Sequence, residues 1–359
     1  MSKHEPDFHL TSQGDTATSL VASPERLMDF EAIIDVRSPA EFEEDHIYGA
    51  INCPALSNEE RAKVGALHKH NPFEARKLGA AYISHNMSVY LQTTLATYKK
   101  YWNPLVYCWR GGMRSGSIVH IMQQIGWQAH QLEGGYKGYR QYILDALEKL
   151  PHKNNFIVLC GPTGSGKSRL LQVLERKGHQ VLDLEGLASH RGSLLGLLPG
   201  VTQPGQRYFE TCLHHQLQQF SPDRPIYIES ESRRIGQLTL PAALFQRMQE
   251  SPCLQVEVPL DERIRFLCED YRCYIDSPDL LLEKMKRLAP YHAKTLITHW
   301  NTLMEEGHYE ELVKGLLLEH YDPLYWRSTH EHHAHIDESP KLKISRLDEA
   351  SLEAVVEVM

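Results

Sequence analysis

Phe156-Ile157-Val158-Leu159-Cys160-Gly161-Pro162-Thr163-Gly164-Ser165-Gly166-Lys167-Ser168 decides the fold. Its first five residues are apolar and read as a buried strand. The next eight match G-x4-G-K-[ST], and Arg169 to Arg176 continues with helical apolar spacing. Strand, glycine-rich loop and helix are the context that gives this motif its meaning. Glycines let backbone N–H groups wrap phosphate oxygens, a lysine supplies a point charge, and the serine hydroxyl holds Mg²⁺. The candidate phosphate- or diphosphate-binding residues are therefore Gly161, Thr163, Gly164, Ser165, Gly166, Lys167 and Ser168. Ile226-Tyr227-Ile228-Glu229 is an apolar strand ending in an acid, where P-loop proteins hold a metal or its water. Glu229 is a second Mg²⁺ candidate, through water; a surface carboxylate is the alternative. In His190-Arg191-Gly192-Ser193, Arg191 suits a phosphate.

Working outward, Val181 to Leu184, Ile226 to Ile228 and Leu254 to Val258 read as further strands, and the chain from Asp261 to about His320 reads as helical. The last forty residues give no clear pattern. Upstream, polar Pro151 to Asn155 marks a domain junction. Before it, Ala32 to Val36, Pro104 to Cys108 and Gln128 to Leu132 read as strands. Pro39 to Glu44, Gly116 to Gly126 and Tyr136 to Leu150 read as helices. Residues 57–100 are charged and alanine-rich and read as inserted helices. The expected fold class is α/β throughout. A parallel-sheet domain with its insertion occupies residues 1–150. A P-loop α/β domain with a helical C-terminal region occupies 151–359.

Cys108-Trp109-Arg110-Gly111-Gly112-Met113-Arg114-Ser115 sits between a strand and a helix. A cysteine in such a loop faces inward-pointing N–H groups and a helix N-terminus, which favour its thiolate. Arg110 and Arg114 add positive charge, so Cys108, Arg110 and Arg114 are the candidate catalytic set. An inert, buried cysteine is the alternative. Arg114 completes a C-x5-R spacing, which leaves room for a tetrahedral phosphate-sized group.

The 359 residues fit about two domains. A net charge of -8 excludes nucleic-acid binding by global charge. Seven cysteines, an odd number, read as reduced thiols. Cys268 and Cys273 lack the partners of a structural zinc site. No apolar run reaches the length of a membrane span, and Met1 to Ser23 lacks a signal-peptide core, so a cytoplasmic protein without membrane association is expected.

The stretch Ile34-Asp35-Val36-Arg37-Ser38-Pro39-Ala40-Glu41-Phe42, with His46 to Asn52 and Leu132-Glu133-Gly134-Gly135, resembles the rhodanese superfamily. In such domains Asp35 and Arg37 are structural. This module followed by this P-loop module resembles the tRNA 2-selenouridine synthase family. The likeness extends to Asn58-Glu59-Glu60-Arg61, Val64-Gly65, Ser189 to Ser193, Gln203-Pro204, Gln206, Phe209-Glu210, Glu229 to Gly236 and Tyr321-Asp322-Pro323-Leu324-Tyr325. The resemblance implies a transferase acting on the wobble 2-thiouridine of tRNA. It implies S-geranylation from geranyl diphosphate, then replacement of the geranylthio group by selenium from selenophosphate, with Mg²⁺ as cofactor. The P-loop would hold the diphosphate, and Cys108 would attack the selenium donor or carry a perselenide.

Other clusters carry weaker signals. Leu194, Leu195, Leu197 and Leu198 are core residues or line a groove for an apolar chain. His330, His332, His333 and His335 read as a solvated segment rather than a metal site. Lys284, Lys286, Arg287 and Lys294 with Tyr291 and Trp300 read either as a local tRNA surface or as an ordinary amphipathic helix, and Arg233 and Arg234 either as contacts to phosphate or RNA backbone or as a solvated pair. Two competing functions remain open on residues alone. One is a Cys-dependent phosphatase or arsenate reductase fused to a kinase-like P-loop domain. The other is a non-catalytic nucleotide-responsive module.

Overall fold

The computed structural model describes residues 20–192, 196, 200–333 and 336–358. The chain divides into two compact units, residues 1–142 and 143–359.

The first unit contains β1 (Val21–Ala22), β2 (Ala32–Asp35), α1 (Pro39–Glu44), β3 (Ile51–Asn52), α2 (Asn58–His68), α3 (Pro72–Gln92), β4 (Pro104–Tyr107), α4 (Met113–Ile125) and β5 (His130–Leu132). Helix α5 (Gly135–Lys153) begins in this unit and ends in the second. The strands are parallel in the order β1-β5-β4-β2-β3, with fully buried β4 at the centre. Pairing on both edges and burial on both faces explain why Pro104 to Tyr107 reads as a continuous apolar run.

The insertion is the helix pair α2 and α3. Ser57 and Glu60 form a capping box that starts α2. Ala75, Gly79, Ile83 and Met87 recur every four residues and bury one face of α3. The insertion motif ties outward as well: Asn86 donates to Glu60 Oε2 at 2.8 Å, and Ala40 N–H donates to Asn58 Oδ1 at 3.1 Å. Asp35 and Arg37 form a buried ion pair, with the guanidinium 3.9 Å from the Tyr136 ring centre and donating to Asp45 O at 2.6 Å. Their role is structural.

The second unit begins with β6 (Phe156–Cys160), α6 (Lys167–Arg176), β7 (Gln180–Leu182), α7 (Leu184–Ala188), α8 (Gln206–Gln219) and β8 (Ile226–Glu229). The hairpin β9 (Arg234–Ile235) and β10 (Leu238–Thr239) follows, then α9 (Ala242–Glu250), β11 (Cys253–Glu257) and α10 (Leu260–Asp270). Five helices come next: α11 (Arg272–Ile275), α12 (Pro278–Met285), α13 (Lys294–Glu305), α14 (Tyr309–Leu316) and α15 (Asp322–His332). The chain closes with β12 (Lys341–Lys343) and α16 (Glu349–Val356). The main sheet is parallel in the order β12-β11-β6-β8-β7. The C-terminal segment, unreadable in sequence, thus supplies an edge strand. Lys-Leu-Lys carries one partly buried residue between two exposed ones, too little contrast to read.

Both units therefore place a reactive loop beyond the C-terminal end of the middle strand of a parallel sheet. Open α/β sheets bind ligands at that end. The C-terminal helices bury their own cluster, including Leu281, Met285, Leu288, Trp300, Leu303 and Leu312. This corrects one expectation: Trp300 is 1% exposed and is core rather than RNA-facing. Its indole is large enough to anchor a small helical core, which outweighs its suitability for base stacking. Tyr291, Lys286, Arg287 and Lys294 are exposed. Among the described residues, no helix is long and apolar enough to cross a membrane.

Gly135 closes the first unit's loop. Its φ is +58°, and a Cβ there would overlap the Cys108 carbonyl oxygen and the Gly111 nitrogen. Gly135→Ala is expected to lower stability by more than about 1 kcal/mol, read by urea unfolding. An unchanged midpoint would contradict this packing.

Candidate functional site

Cys108 is the first residue after β4, and its carbonyl and that of Trp109 accept from Tyr136 and Lys137 N–H at 2.9 and 3.0 Å. These bonds fix the loop against the start of α5. The side chain is buried, but its sulfur is not surrounded by hydrocarbon. Gly112 N–H donates to Sγ at 3.2 Å and the Ser115 hydroxyl at 3.1 Å. Gln131 donates to Ser115 Oγ at 2.8 Å and to Gly112 O at 3.1 Å, orienting the serine proton toward the sulfur. Burial pushes the thiol up; the bonds from Ser115 and Gly112, with the Arg114 charge, more than offset it and bring the thiol below its ordinary value. Charge-assisted donors at a helix N-terminus act this way on thiolates.

Arg114 is held by Glu41 at 3.1 Å, and Arg61 also pairs with Glu41 at 2.8 Å. Burial raises the Glu41 carboxyl, but the Arg114 charge and the Ser38 N–H hold it below the usual range. Arg110 is exposed, and the groups acting on the thiol are Ser115, Gly112 and Arg114. Sequence reading missed Ser115, Gln131 and Glu41. Ser115 stood one residue beyond the C-x5-R spacing, and the other two are joined to the loop only by tertiary structure.

In the second unit the loop Gly161 to Gly166 runs between β6 and α6. Gly164 and Gly166 have φ of +80° and +76°. A Cβ on Gly164 would lie 2.8 Å from Leu267, and one on Gly166 2.5 Å from Leu347. Lys167 Nζ donates to Gly161 O at 2.6 Å. Gly161 N–H donates to the Tyr325 hydroxyl at 2.5 Å. Arg263 donates to Thr163 O at 2.7 Å and pairs with Asp322 at 2.6 Å. The sequence stretch Tyr321 to Tyr325 is thereby explained as a brace for the loop. A five-residue π-helical turn, Leu317–Tyr321, leads into it, and such turns concentrate at functional sites. Gln203 braces the β9–β10 hairpin through Ala188 O and Ile235 O at 3.2 and 3.1 Å.

The loop opens into a cavity of about 760 Å³, lined by Thr163 to Arg169, Arg191 and, among others, Asp183, Glu185 and Glu231. Ser168 Oγ donates to Glu185 Oε2 at 2.9 Å, and Glu185 N–H donates to Glu229 Oε1 at 2.7 Å. Glu229 Oε2 is buried without a partner. Burial, then the charges of Asp183 and Glu185, hold Glu229 well above the carboxylate range. Burial raises Asp183 too. Burial and Glu185 push Glu231 up to about 8, against the pull of Lys167. Four clustered carboxylates beside a serine hydroxyl, one oxygen orphaned, form a hard-oxygen donor set that fits Mg²⁺. Of this cluster, sequence reading named Ser168 and Glu229; Asp183, Glu185 and Glu231 join them only in the folded chain.

Arg191 lines the cavity, paired with Asp270 and 4.9 Å from the Tyr271 ring centre. Arg233 and Arg234 are exposed and do not line the cavity. Leu194, Leu195, Leu197 and Leu198 lie outside the described residues. The histidine tract departs from the solvated expectation. His330 is exposed, but His332 packs on Phe245 and His333 is buried beside Cys253; His335 lies outside the described residues.

Fold and sites define a rhodanese-like domain joined to a P-loop domain with a cluster of carboxylates beside its loop. Residues 20–142 match the rhodanese-like domain model, and residues 154–278 match the model of the tRNA 2-selenouridine synthase AAA domain. The tRNA 2-selenouridine synthase of Nitrosomonas europaea is 35% identical over 271 residues, covering 74% of this chain and 69% of that protein. The enzyme of the same name from Nitrosomonas eutropha is 36% identical over 244 residues, covering 67% and 62%. That from Hydrogenovibrio crunogenus is 31% identical over 334 residues, covering 83% and 91%. The chain belongs to the tRNA 2-selenouridine synthase family.

Two measurements check the electrostatics. Thiolate absorbance, wild type minus Cys108→Ser, should rise at a pH below the ordinary thiol value, and Ser115→Ala should move the rise upward. An unmoved titration would remove Ser115 from thiol activation. In the cradle, carboxyl groups raised on folding stabilise below their ordinary value of about 4, and this is lost as pH rises through the folded values. For Glu231 that loss runs to about pH 8. Metal-free protein should therefore melt progressively lower from about pH 5 to pH 8, and Mg²⁺ should restore most at the upper end. Equal Mg²⁺ stabilisation at both ends would contradict the cradle.

Proposed function

We propose that this protein converts the wobble 2-thiouridine of tRNA to 2-selenouridine in two steps. The first is S-geranylation from geranyl diphosphate at the P-loop. The second replaces the geranylthio group by selenium from selenophosphate, using Cys108. Family membership supports the overall conversion. The observation that carries the prenyl donor is the lining of the cavity of about 760 Å³ beside the P-loop, where Val201, Phe245, Met248, Phe266, Leu267 and Leu324 set apolar surface next to the phosphate-loop residues. A phosphate cradle opening onto hydrocarbon suits a diphosphate bearing an apolar chain.

In the first step the thiocarbonyl sulfur attacks the carbon bearing diphosphate. A C–S bond forms, the C–O bond breaks, diphosphate leaves with the electron pair, and the nucleobase N–H proton passes to solvent. Lys167 and the loop N–H groups meet the charge developing on the leaving oxygen. Mg²⁺, held by Ser168 with Glu185, Glu229, Glu231 and Asp183, would supply further neutralisation of the diphosphate. No nucleotide hydrolysis is required.

In the second step selenium adds to the activated carbon and geranylthiol leaves. The Cys108 thiolate attacks phosphorus of the selenophosphoryl group: an S–P bond forms, the P–Se bond breaks, and selenium keeps the electron pair. Water then hydrolyses the S–P bond to phosphate and regenerates the thiol. Transfer of neutral selenium to sulfur as a perselenide would leave phosphorus reduced by two electrons, so attack at phosphorus is favoured. The arrangement also argues against a generic phosphatase. Glu41, the carboxyl beside Arg114, is held ionised by two arginines and is a poor proton donor to an alkoxide, whereas selenide leaves without one. Exposed Lys286, Arg287 and Lys294 with Tyr291 offer a local surface for tRNA despite the net negative charge.

Nucleoside mass spectrometry after incubation with thiolated tRNA, geranyl diphosphate and selenophosphate tests the assignment. Lys167→Ala should lower geranylation about a hundredfold or more, and Cys108→Ser should geranylate normally while forming no selenouridine. Leu324→Asp, a change at a half-exposed residue lining the cavity, should raise KM for geranyl diphosphate without changing inhibition by inorganic diphosphate. Normal geranylation by Lys167→Ala would overturn the P-loop assignment.

A further inference from the structure

Cys160, Cys253 and His333 converge at the base of the P-loop domain. All three are buried, and their ligand atoms lie within 4.8 Å of one another. Cys253 Sγ is 3.3 Å from His333 Nδ1. Cys160 is the last residue of β6, directly before the phosphate loop, and Cys253 is the first of β11. His333 directly follows α15, the helix whose Tyr325 accepts from Gly161. The Ser230 hydroxyl also bonds Cys160.

We propose that Cys160, Cys253 and His333 form a soft-metal site for zinc, with Ser230 or a cavity water as fourth ligand. Zn–S bonds of about 2.3 Å and Zn–N bonds of about 2.0 Å in a tetrahedron set ligand atoms about 3.5–3.8 Å apart. The three side chains need little movement to meet that spacing. Two thiolates and an imidazole exclude Mg²⁺ and Ca²⁺, which take oxygen ligands, and select a thiophilic ion. Ser230 and His333 line the phosphate cavity, giving an ion and its fourth ligand a way in.

Two other uses of the cluster fit less well. A disulfide between the cysteines is opposed by strand register. Cys253 pairs with Val158, two residues from Cys160. With parallel strands about 4.8 Å apart and a two-residue rise of about 6.6 Å, the two Cα atoms lie about 8 Å apart, beyond the usual disulfide span. A Cys–His nucleophile is opposed by access, since neither cysteine lines the cavity. The bound ion would join the strand before the loop, a neighbouring strand and the bracing helix. It would be structural and separate from the hard-oxygen Mg²⁺ cradle.

The test uses untagged, reduced full-length protein, loaded with zinc, gel-filtered and analysed for metal. Parallel samples carry Co²⁺. One zinc per chain is expected. The cobalt form should show intense visible bands of a four-coordinate ion and a near-ultraviolet thiolate charge-transfer band. Cys253→Ser and His333→Ala should bind zinc at least tenfold more weakly, while His330→Ala, outside the cluster, should match wild type. The wild-type cobalt spectrum decides the matter even where a variant misfolds. No retained zinc, a cobalt spectrum lacking the thiolate band, or recovery of a Cys160–Cys253 disulfide peptide from native protein would overturn the proposal.

Discussion

Closure of the phosphate loop from outside is the constraint on which the second unit depends. A glycine-rich loop pays heavily in entropy when ordered, and its own sequence offers few contacts to offset this. Here the contacts come from far along the chain. Leu267 presses on Gly164, Leu347 on Gly166, Tyr325 accepts from Gly161, and Arg263, locked by Asp322, holds Thr163 O. The helical region and C-terminal segment are thus the outer wall of the site. Leu267 and Tyr325 also line the large cavity, so the wall that braces the loop bounds the space beside it.

The two units solve opposite electrostatic problems with the same backbone geometry. Around Cys108, donors exceed acceptors: an amide, a hydroxyl and an arginine favour a single buried thiolate. Around Ser168, acceptors exceed donors. Asp183, Glu185, Glu229 and Glu231 crowd together, and burial with their mutual repulsion raises Glu229 and Glu231. In one case the loop favours the charged form of a sulfur; in the other it sits beside carboxyls that burial and crowding keep protonated.

Much of this was readable from the chain because the signals were local. The strand at 156–160, the loop at 161–168, the helix at 39–44 and the cysteine loop are each carried by consecutive residues, and all four form as read. What escaped depends on residues brought together from a distance. Glu41 reaches Arg114 across 73 positions and His333 reaches Cys253 across 80, and neither has a spacing that sequence periodicity detects. Trp300 misled because exposed and buried aromatics look alike until a partner surface is known. The edge strand Lys341–Lys343 escaped because its backbone pairing, not its side chains, defines it.

On the proposed function the P-loop holds the diphosphate of a prenyl donor rather than a nucleoside triphosphate. Calorimetric titration of the protein with geranyl diphosphate, inorganic diphosphate and ATP, each with Mg²⁺, addresses it most directly. Geranyl diphosphate should bind at least tenfold more tightly than either of the others, with a negative heat-capacity change from apolar burial. Tight ATP binding with hydrolysis, and geranyl diphosphate no better than inorganic diphosphate, would contradict the claim.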